Sequence, residues 1–283
     1  MLNCRSFTFE GQSSEDFDIF IGYFGVPGVV NVHLYTADIV ETRIPSQIRP
    51  IYFGQDKNKA VERDMTLCSD HYLTREEIDA IFAWLTCSTN GYGELIVEDG
   101  DELEEFTMRV IFQSMELVNS AWPIAIQCKV VCDSQWAYAT PIKSTYNVVD
   151  GIILTSNNAE KDMIMLNNES SYLGYIYPTL TLEIAQGTTH FAMTNITDDS
   201  RKLSFDFSGS FTPTDGGEKL IITIDTQRKI MTSNCTDVDP YKCLSDLGGY
   251  FYFPRLLRGE NEFIFEGSAL CSITFAELKG VGL

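Results

Sequence analysis

The chain has 283 residues, 44% of them hydrophobic, and forty acidic against twenty basic side chains leave a formal net charge of −20. That is enough to bury one large core or two ordinary domains, which excludes a disordered tail or a miniprotein. The acidic field repels phosphate and argues against nucleic acid as a direct ligand, and no run approaches the roughly 18 apolar residues of a helical membrane span.

The opening residues, MLNCRSFTFEGQSSEDFDIF, lack the basic start and apolar block of a secretory signal, so the expectation is a chain made in the cytoplasm. Short β-branched and aromatic stretches broken by Gly, Asn, Asp and Pro predict strands at Ser6 to Phe9, Val30 to Tyr35, Ile48 to Phe53 and Val61 to Leu67. Thr74 and Glu77 then stand at capping-box spacing ahead of Ile78, Ile81, Phe82 and Leu85, which repeat at helical period. This predicts one helix, LTREEIDAIFAWL, lying on a sheet with those four residues inward.

After Asn90-Gly91 the strands Glu94 to Val97 and Thr107 to Glu116 read as a hairpin with a strongly acidic turn, followed by a strand from Ile124 to Cys132. Between Ser134 and Asn158 the text becomes polar and is interrupted by Pro141, and the domain boundary is placed there, dividing 1–140 from 141–283. The second half alternates strand candidates and turns at the spacing of a β-sandwich, from YPTLTLEIAQG to LCSITFAEL. The fold class is therefore mainly β. Absence of a 20–50-residue repeat removes solenoids and propellers.

Chemistry is sparse. Eight cysteines are scattered without a CxxC pair, and His33, His71 and His190 are far apart, so no metal or cofactor is expected. Cys235 and Cys243 are either two reduced thiols or a small disulfide loop. Neither GxSxG nor a phosphate-cradling GxxxxGK[ST] loop occurs, no catalytic residue is assigned, and the chain is read as not an enzyme. A facing carboxylate pair of the glycosidase kind is not refuted by a chain this acidic, but nothing marks one. The acidic segment Glu98 to Glu105 lacks the spacing of a calcium loop and reads as a solvated hairpin tip. The sequons at Asn168, Asn195 and Asn234 are taken as coincidence, and burial in the core is expected for Tyr250, Phe251 and Tyr252. What remains is a strand-rich chain with edges to pair and aromatic segments to bury, which favours assembly over catalysis.

The blocks FTFEGQSSEDFDIFI, RPIYFGQDKNKAVERDMTLC, LTREEIDAIFAWL and GYGELIVEDGD, in that order, resemble the N-terminal domain of the phage distal tail protein (Dit) family. YPTLTLEIAQG, FAMTNITDDSRKLSF, EKLIITIDTQRKIM and FPRLLRGENEFIFEGSALCSITF resemble the galectin-like β-sandwich that follows in that family. The resemblance implies a β-barrel-like N-terminal domain with one packed helix, then a galectin-like β-sandwich, in a compact form without an inserted sugar-binding module. It implies a structural virion component at the tail tip or baseplate, a homohexameric ring joining the tail tube protein to a tail-associated lysin or hub protein and to a receptor-binding protein. No membrane is implied, and DNA is expected only to pass through.

Within that frame Asp99, Asp101, Glu102, Glu104 and Glu105 are the candidate channel-lining residues, and Ile96, Val110 and Phe112 the candidate ring interface. The alternative is a carbohydrate-binding module that contacts the host cell surface. The second half has no Trp, and the His-Asn-Arg and Trp constellation of galactoside-binding lectins is missing, so the galectin likeness concerns the fold.

Overall fold

A computed structural model describes residues 6–24, 38–42, 49–56, 61–87, 91–98, 106–118, 121–154, 159–214, 216–245 and 251–280. The chain divides into two compact units, Met1–Thr140 together with Leu278–Leu283, and Pro141–Glu277. Among the described residues no helix is long and apolar enough to cross a membrane.

In the first unit β1 (Ser6–Phe9) and β2 (Gln12–Ser13) are joined by the two-residue turn Glu10-Gly11, and a 3-10 turn (Ser14–Phe17) leads into β3 (Ile19–Phe24). Next come β4 (Asp38–Thr42), β5 (Ile51–Asp56), β6 (Val61–Ser69), α1 (Arg75–Cys87), β7 (Gly93–Glu98), β8 (Phe106–Val118), β9 (Ala125–Cys132) and β10 (Ala137–Ala139). The main sheet is antiparallel in the order β2-β1-β7-β8-β9-β6-β3, with β10 beside β8. It curls until β3 packs against β1 without pairing to it, a barrel-like form with an open seam. The expected strand Val30 to Tyr35 lies outside the described residues.

Period-two burial builds the core of this unit. Phe7 and Phe9, Leu95 and Val97, and Met108, Val110 and Phe112 all face inward, and α1 lies over them. Thr74 and Glu77 close a reciprocal cap: the Thr74 backbone N–H donates to Glu77 Oε2 at 2.7 Å, and the Glu77 N–H donates to Thr74 Oγ1 at 3.3 Å. The buried face of the helix is Ile81, Trp84 and Leu85, with Ile78 at its margin and Phe82 52% exposed. The expected inward arc was thus displaced, because Phe82 sits roughly 100° from Ile81 around the helix while Trp84 falls on the other side of the same arc. Trp84 stacks on Phe17 at 4.5 Å and Phe7 at 5.4 Å, and its indole N–H donates to the Phe9 carbonyl at 3.1 Å.

The second unit contains β11 (Ile142–Val149), β12 (Ile152–Leu154), β13 (Glu160–Lys161), β14 (Met163–Asn168), β15 (Thr179–Ile184) and β16 (His190–Asn195). It continues with β17 (Arg201–Asp206), β18 (Leu220–Asp225), β19 (Ile230–Ser233), β20 (Gly259–Gly267) and β21 (Ala269–Phe275), before β22 (Leu278–Lys279) pairs with β10 in the first unit. A seven-stranded sheet, β13-β12-β11-β21-β15-β18-β19, faces a four-stranded one, β14-β20-β16-β17. Leu180, Leu182, Ile222, Ile224 and Ile273 are buried from the larger sheet, and Phe191, Met193, Phe205, Phe263 and Phe265 from the smaller.

Residues 142–154, in the polar stretch where the domain boundary was placed, are strands rather than irregular chain. β11 pairs with β21 over seven residues and turns into β12 through Asp150-Gly151, both at positive φ (50° and 84°), a two-residue hairpin turn. Gly267, the last residue of β20, is also at positive φ, and a Cβ there would overlap the His190 carbonyl.

Candidate assembly surfaces

Among the described residues no group of three or more His, Cys, Asp or Glu side chains is arranged to hold a metal. Cys235 and Cys243 are not joined in a disulfide. Burial pushes the Cys128 and Cys271 thiols up to about 12 and Cys132 to about 11, so none is a thiolate nucleophile at neutral pH. His190, Asp206 and Ser245 meet, but Asp206 occupies the middle: it accepts from the Ser245 hydroxyl at 2.5 Å and pairs with His190 Nδ1 at 2.7 Å. That order leaves the carboxylate, not the imidazole, on the serine, and it is not a nucleophilic triad. Asn168 and Asn195 are buried and hydrogen-bonded, which removes them as glycan acceptors in the folded chain.

The candidate residues of the acidic hairpin separate sharply. Asp99, Asp101, Glu102, Glu104 and Glu105 lie outside the described residues. Val110 and Phe112 are buried in the unit's own core, so they have no surface to offer a second copy, and the expectation of a ring contact there is corrected. Ile96 is on the opposite face of the sheet, half-buried, in register between Thr8 and Thr107. Beside it Glu98 accepts from Ser6 Oγ at 2.9 Å and from Thr8 Oγ1 at 2.6 Å, which orders this outward face of β1 and β7. Alternation dictates the split: Ile96 is out of phase with Leu95 and Val97, while Val110 and Phe112 share the inward phase of Met108.

Two apolar features of the first unit were not resolved by the sequence reading. β4 and β5 pair only with each other among the described strands, with Val40, Ile51, Tyr52 (58%) and Phe53 (65%) exposed. A two-stranded ribbon with no further sheet or helix to cover it is marginal in water. At another place Tyr72 and Trp122 pair at 5.4 Å between ring centroids, Trp122 being 63% exposed, near the exposed Leu117, Val118 and Ile124 of the β8–β9 hairpin. The signal for the ribbon was present in IYFGQD, three consecutive apolar residues whose alternation offers no polar face.

In the second unit the segment FYFPRLLRG carries a different surface. Asp198 is buried and binds Arg255 in a two-pronged contact, Nε and Nη2 each at 2.9 Å, with Arg201 Nε at 3.3 Å. Arg255 lies over the Tyr175 ring at 3.5 Å and Arg201 over Tyr252 at 5.2 Å. The Asp198 carboxylate holds the Arg255 guanidinium above the usual arginine range. Asn195 Nδ2 donates to the Arg255 carbonyl, Asn168 Nδ2 to that of Leu257, and Asn261 bonds both Leu257 backbone groups, which fixes the strand-like path from Arg255 to Gly259. Core burial does not hold for the aromatic run: Phe251 is 50% exposed and Tyr252 36%, with Tyr175 and Tyr177 also exposed, while Tyr250 lies outside the described residues. Of these rings, Tyr175 and Tyr252 rest on the two arginines that Asp198 holds in place.

Residues 2–134 match the family described as Phage tail protein N-terminal domain. No curated protein matches the chain by sequence. Among solved structures the chain is similar to SPP1 Dit (gp 19.1), described as a paradigm of hub adsorption apparatus in Gram-positive infecting phages. The identity is 12% and the TM-score 0.66, over 97% of this chain and 98% of that one, a likeness of fold along the full length.

Proposed function

We propose that this chain, whose residues 2–134 match the Phage tail protein N-terminal domain and whose fold is similar to that of SPP1 Dit, is a phage tail protein that assembles as a homohexameric ring at the distal end of the tail. The ring would join the tail tube protein to a tail-associated lysin or hub protein and to the adhesion apparatus. Its work is geometric: a closed set of identical contacts fixes the position of the parts attached to it, with no chemical turnover. The galectin-like reading of the second unit belongs to this proposal.

The observation that carries it is the β4–β5 ribbon. A ribbon that pairs with no other described strand and exposes Tyr52, Phe53 and Ile51 gains stability when a neighbour covers it, and a head-to-tail contact repeated around an axis closes a ring. The fold of Dit and the tail-protein match support the same role. The test is the absolute mass in solution by light scattering after gel filtration, with the 31.9 kDa protomer as ruler. A six-fold mass that falls to the protomer on Tyr52→Ser with Phe53→Ser is expected. A wild-type chain that stays a protomer even with purified tail tube protein, or a double variant that assembles as well as wild type, sinks the ring built on this ribbon.

A second reading, carbohydrate binding, is favoured by the exposed Tyr175, Tyr177, Phe251 and Tyr252 beside two oriented arginines, since aromatic faces and guanidinium donors are what a sugar ring meets. It predicts glycan binding that is lost on Tyr252→Ala. A screen of host-surface glycans without binding removes it.

A further inference from the structure

The sandwich of the second unit protects its sheet edges unevenly. On the four-stranded sheet, the outer side of β17 is covered by its own chain: Leu244 bridges to Phe205, the Ser245 N–H donates to the Ser204 carbonyl at 2.9 Å, and the Asp206 N–H donates to the Cys243 carbonyl at 2.7 Å. On the seven-stranded sheet, the Met231 N–H of β19 donates to the Tyr241 hydroxyl at 2.9 Å, and β13 at the far end is two residues long. β14 is the exception. It is six residues long, regular in register with β20, and no described strand pairs its other side.

Free edges are normally blunted by an outward charge, a proline, a bulge or a short length. β14 has none of these: Met163, Met165 and Asn167 form its outward face, Met165 being 59% exposed, and Ile164, Leu166 and Asn168 its buried face. Every second residue of such a strand turns its N–H and C=O to the open side. An open groove lined by Tyr146, Glu160, Lys161, Met163 and Met165 runs beside it, giving room for the side chains of an added strand. Exposed methionines suit such a contact because their unbranched, polarizable chains adapt to what they meet.

Charge decides between occupants. Glu160, Asp162 and Glu169 flank β14, against Lys161 alone. A second copy paired through the same edge would bring a segment of the same net negative charge against it, whereas a basic segment meets opposite charge. We propose that β14 is the docking edge for an extended segment of another protein, apolar at alternate residues and bearing Lys or Arg at both ends, which adds a fifth strand to the smaller sheet. This stands apart from the ring: β14 belongs to the second unit, and the mass measurement and the test below fail separately.

The probe is a fluorescent peptide, Lys-Val-Thr-Val-Thr-Val-Thr-Lys, titrated into the full chain by anisotropy, with two twins: one N-methylated at alternate residues, the other carrying Glu in place of both Lys. Each twin is expected to bind about ten-fold or more weakly than the parent, since the first loses backbone hydrogen bonds and the second its charge match. Met165→Lys, an exposed position, is expected to weaken the parent peptide similarly while leaving the melting temperature unchanged. Amide exchange should slow at 163–168 when the parent peptide is bound. Equal binding of parent and N-methylated peptides, protection elsewhere, or no binding of the parent overturns the proposal.

Discussion

In the second unit the polar groups that the fold must bury are answered from within: Asn168, Asn195 and Asn261 bond the backbone between Arg255 and Gly259, and Asp198 holds two arginines. The first unit spends its apolar residues differently, packing an aromatic cluster around Trp84 while leaving Ile51, Tyr52, Phe53 and Trp122 to solvent. The second unit also exposes apolar side chains, Leu173, Met165, Tyr175 and Phe251 among them, but sets the aromatic ones beside a satisfied polar network. The first unit exposes Ile51, Tyr52 and Phe53 on a ribbon that pairs with no other described strand. The contrast teaches where an assembling protein divides its labour: exposed apolar area lowers free energy on association, whereas satisfied polar networks define one conformation of a domain.

The sharpest way to test the contrast is to remove the centre of each core. Trp84→Ala takes away three aromatic neighbours and the indole hydrogen bond to the Phe9 carbonyl, and should cost the first unit about 3–5 kcal/mol. Asp198→Ala leaves Arg255 and Arg201 without their shared carboxylate and should cost the second unit about 3 kcal/mol. Calorimetry of the full chain is expected to show two transitions, each variant lowering one of them. If either variant lowers both transitions equally, the two units are not independent stability units and the contrast fails.

The reading of the sequence located the helix and most strands because capping and alternation are local signals. Ser6 to Phe9 and the β7–β8–β9 run are set by side chains whose phase can be counted along the chain. The strand β11 was lost among polar residues, yet its turn was legible: Asp150-Gly151 is a two-residue hairpin signal, and it was passed over for Pro141 nearby. The return of β22 to β10 was not legible, since two residues carry no period. Of the site residues, Ile96 could be separated from Val110 and Phe112 by phase alone, whereas the Asp198–Arg255 contact joins residues 57 apart and has no local signal. Tyr252 rests on Arg201, another contact between residues distant in sequence, so its placement was equally out of reach.

A smaller effect probes how the helix of the first unit is held. Thr74→Ala removes the side-chain half of the cap on α1 and should cost about 1 kcal/mol. Glu77→Gln should restore less than Glu77 itself provides, because Glu77 also meets His71 Nε2 at 3.3 Å. Urea unfolding followed by tryptophan fluorescence reports on it, since Trp84 lies on the buried face of this helix. A loss as large as that of Trp84→Ala would mean that the cap, rather than aromatic packing, holds the helix down.

The smallest expected effect is a pH dependence confined to the second unit. Asp206 is held below the usual carboxylate range by the hydroxyl of Ser245 and then by His190, and Glu266 is held below it by the Lys202 ammonium at 2.6 Å and then by His190. These groups tie β16, β17 and β20 together on the outside of the smaller sheet. A folded-state value below the unfolded one gives stability that is fully present above the unfolded value, about 4 for a carboxylate, and is lost as the pH falls through the folded value. Asp206→Asn should therefore lower the melting temperature of the second unit slightly at pH 7, and the difference from wild type should close as the pH is taken below about 4. Both side chains are largely solvent-exposed, so screening keeps the effect small and 1 M salt should shrink it further. A difference that grows on acidification would show that Asp206 is not stabilised as a carboxylate by these partners.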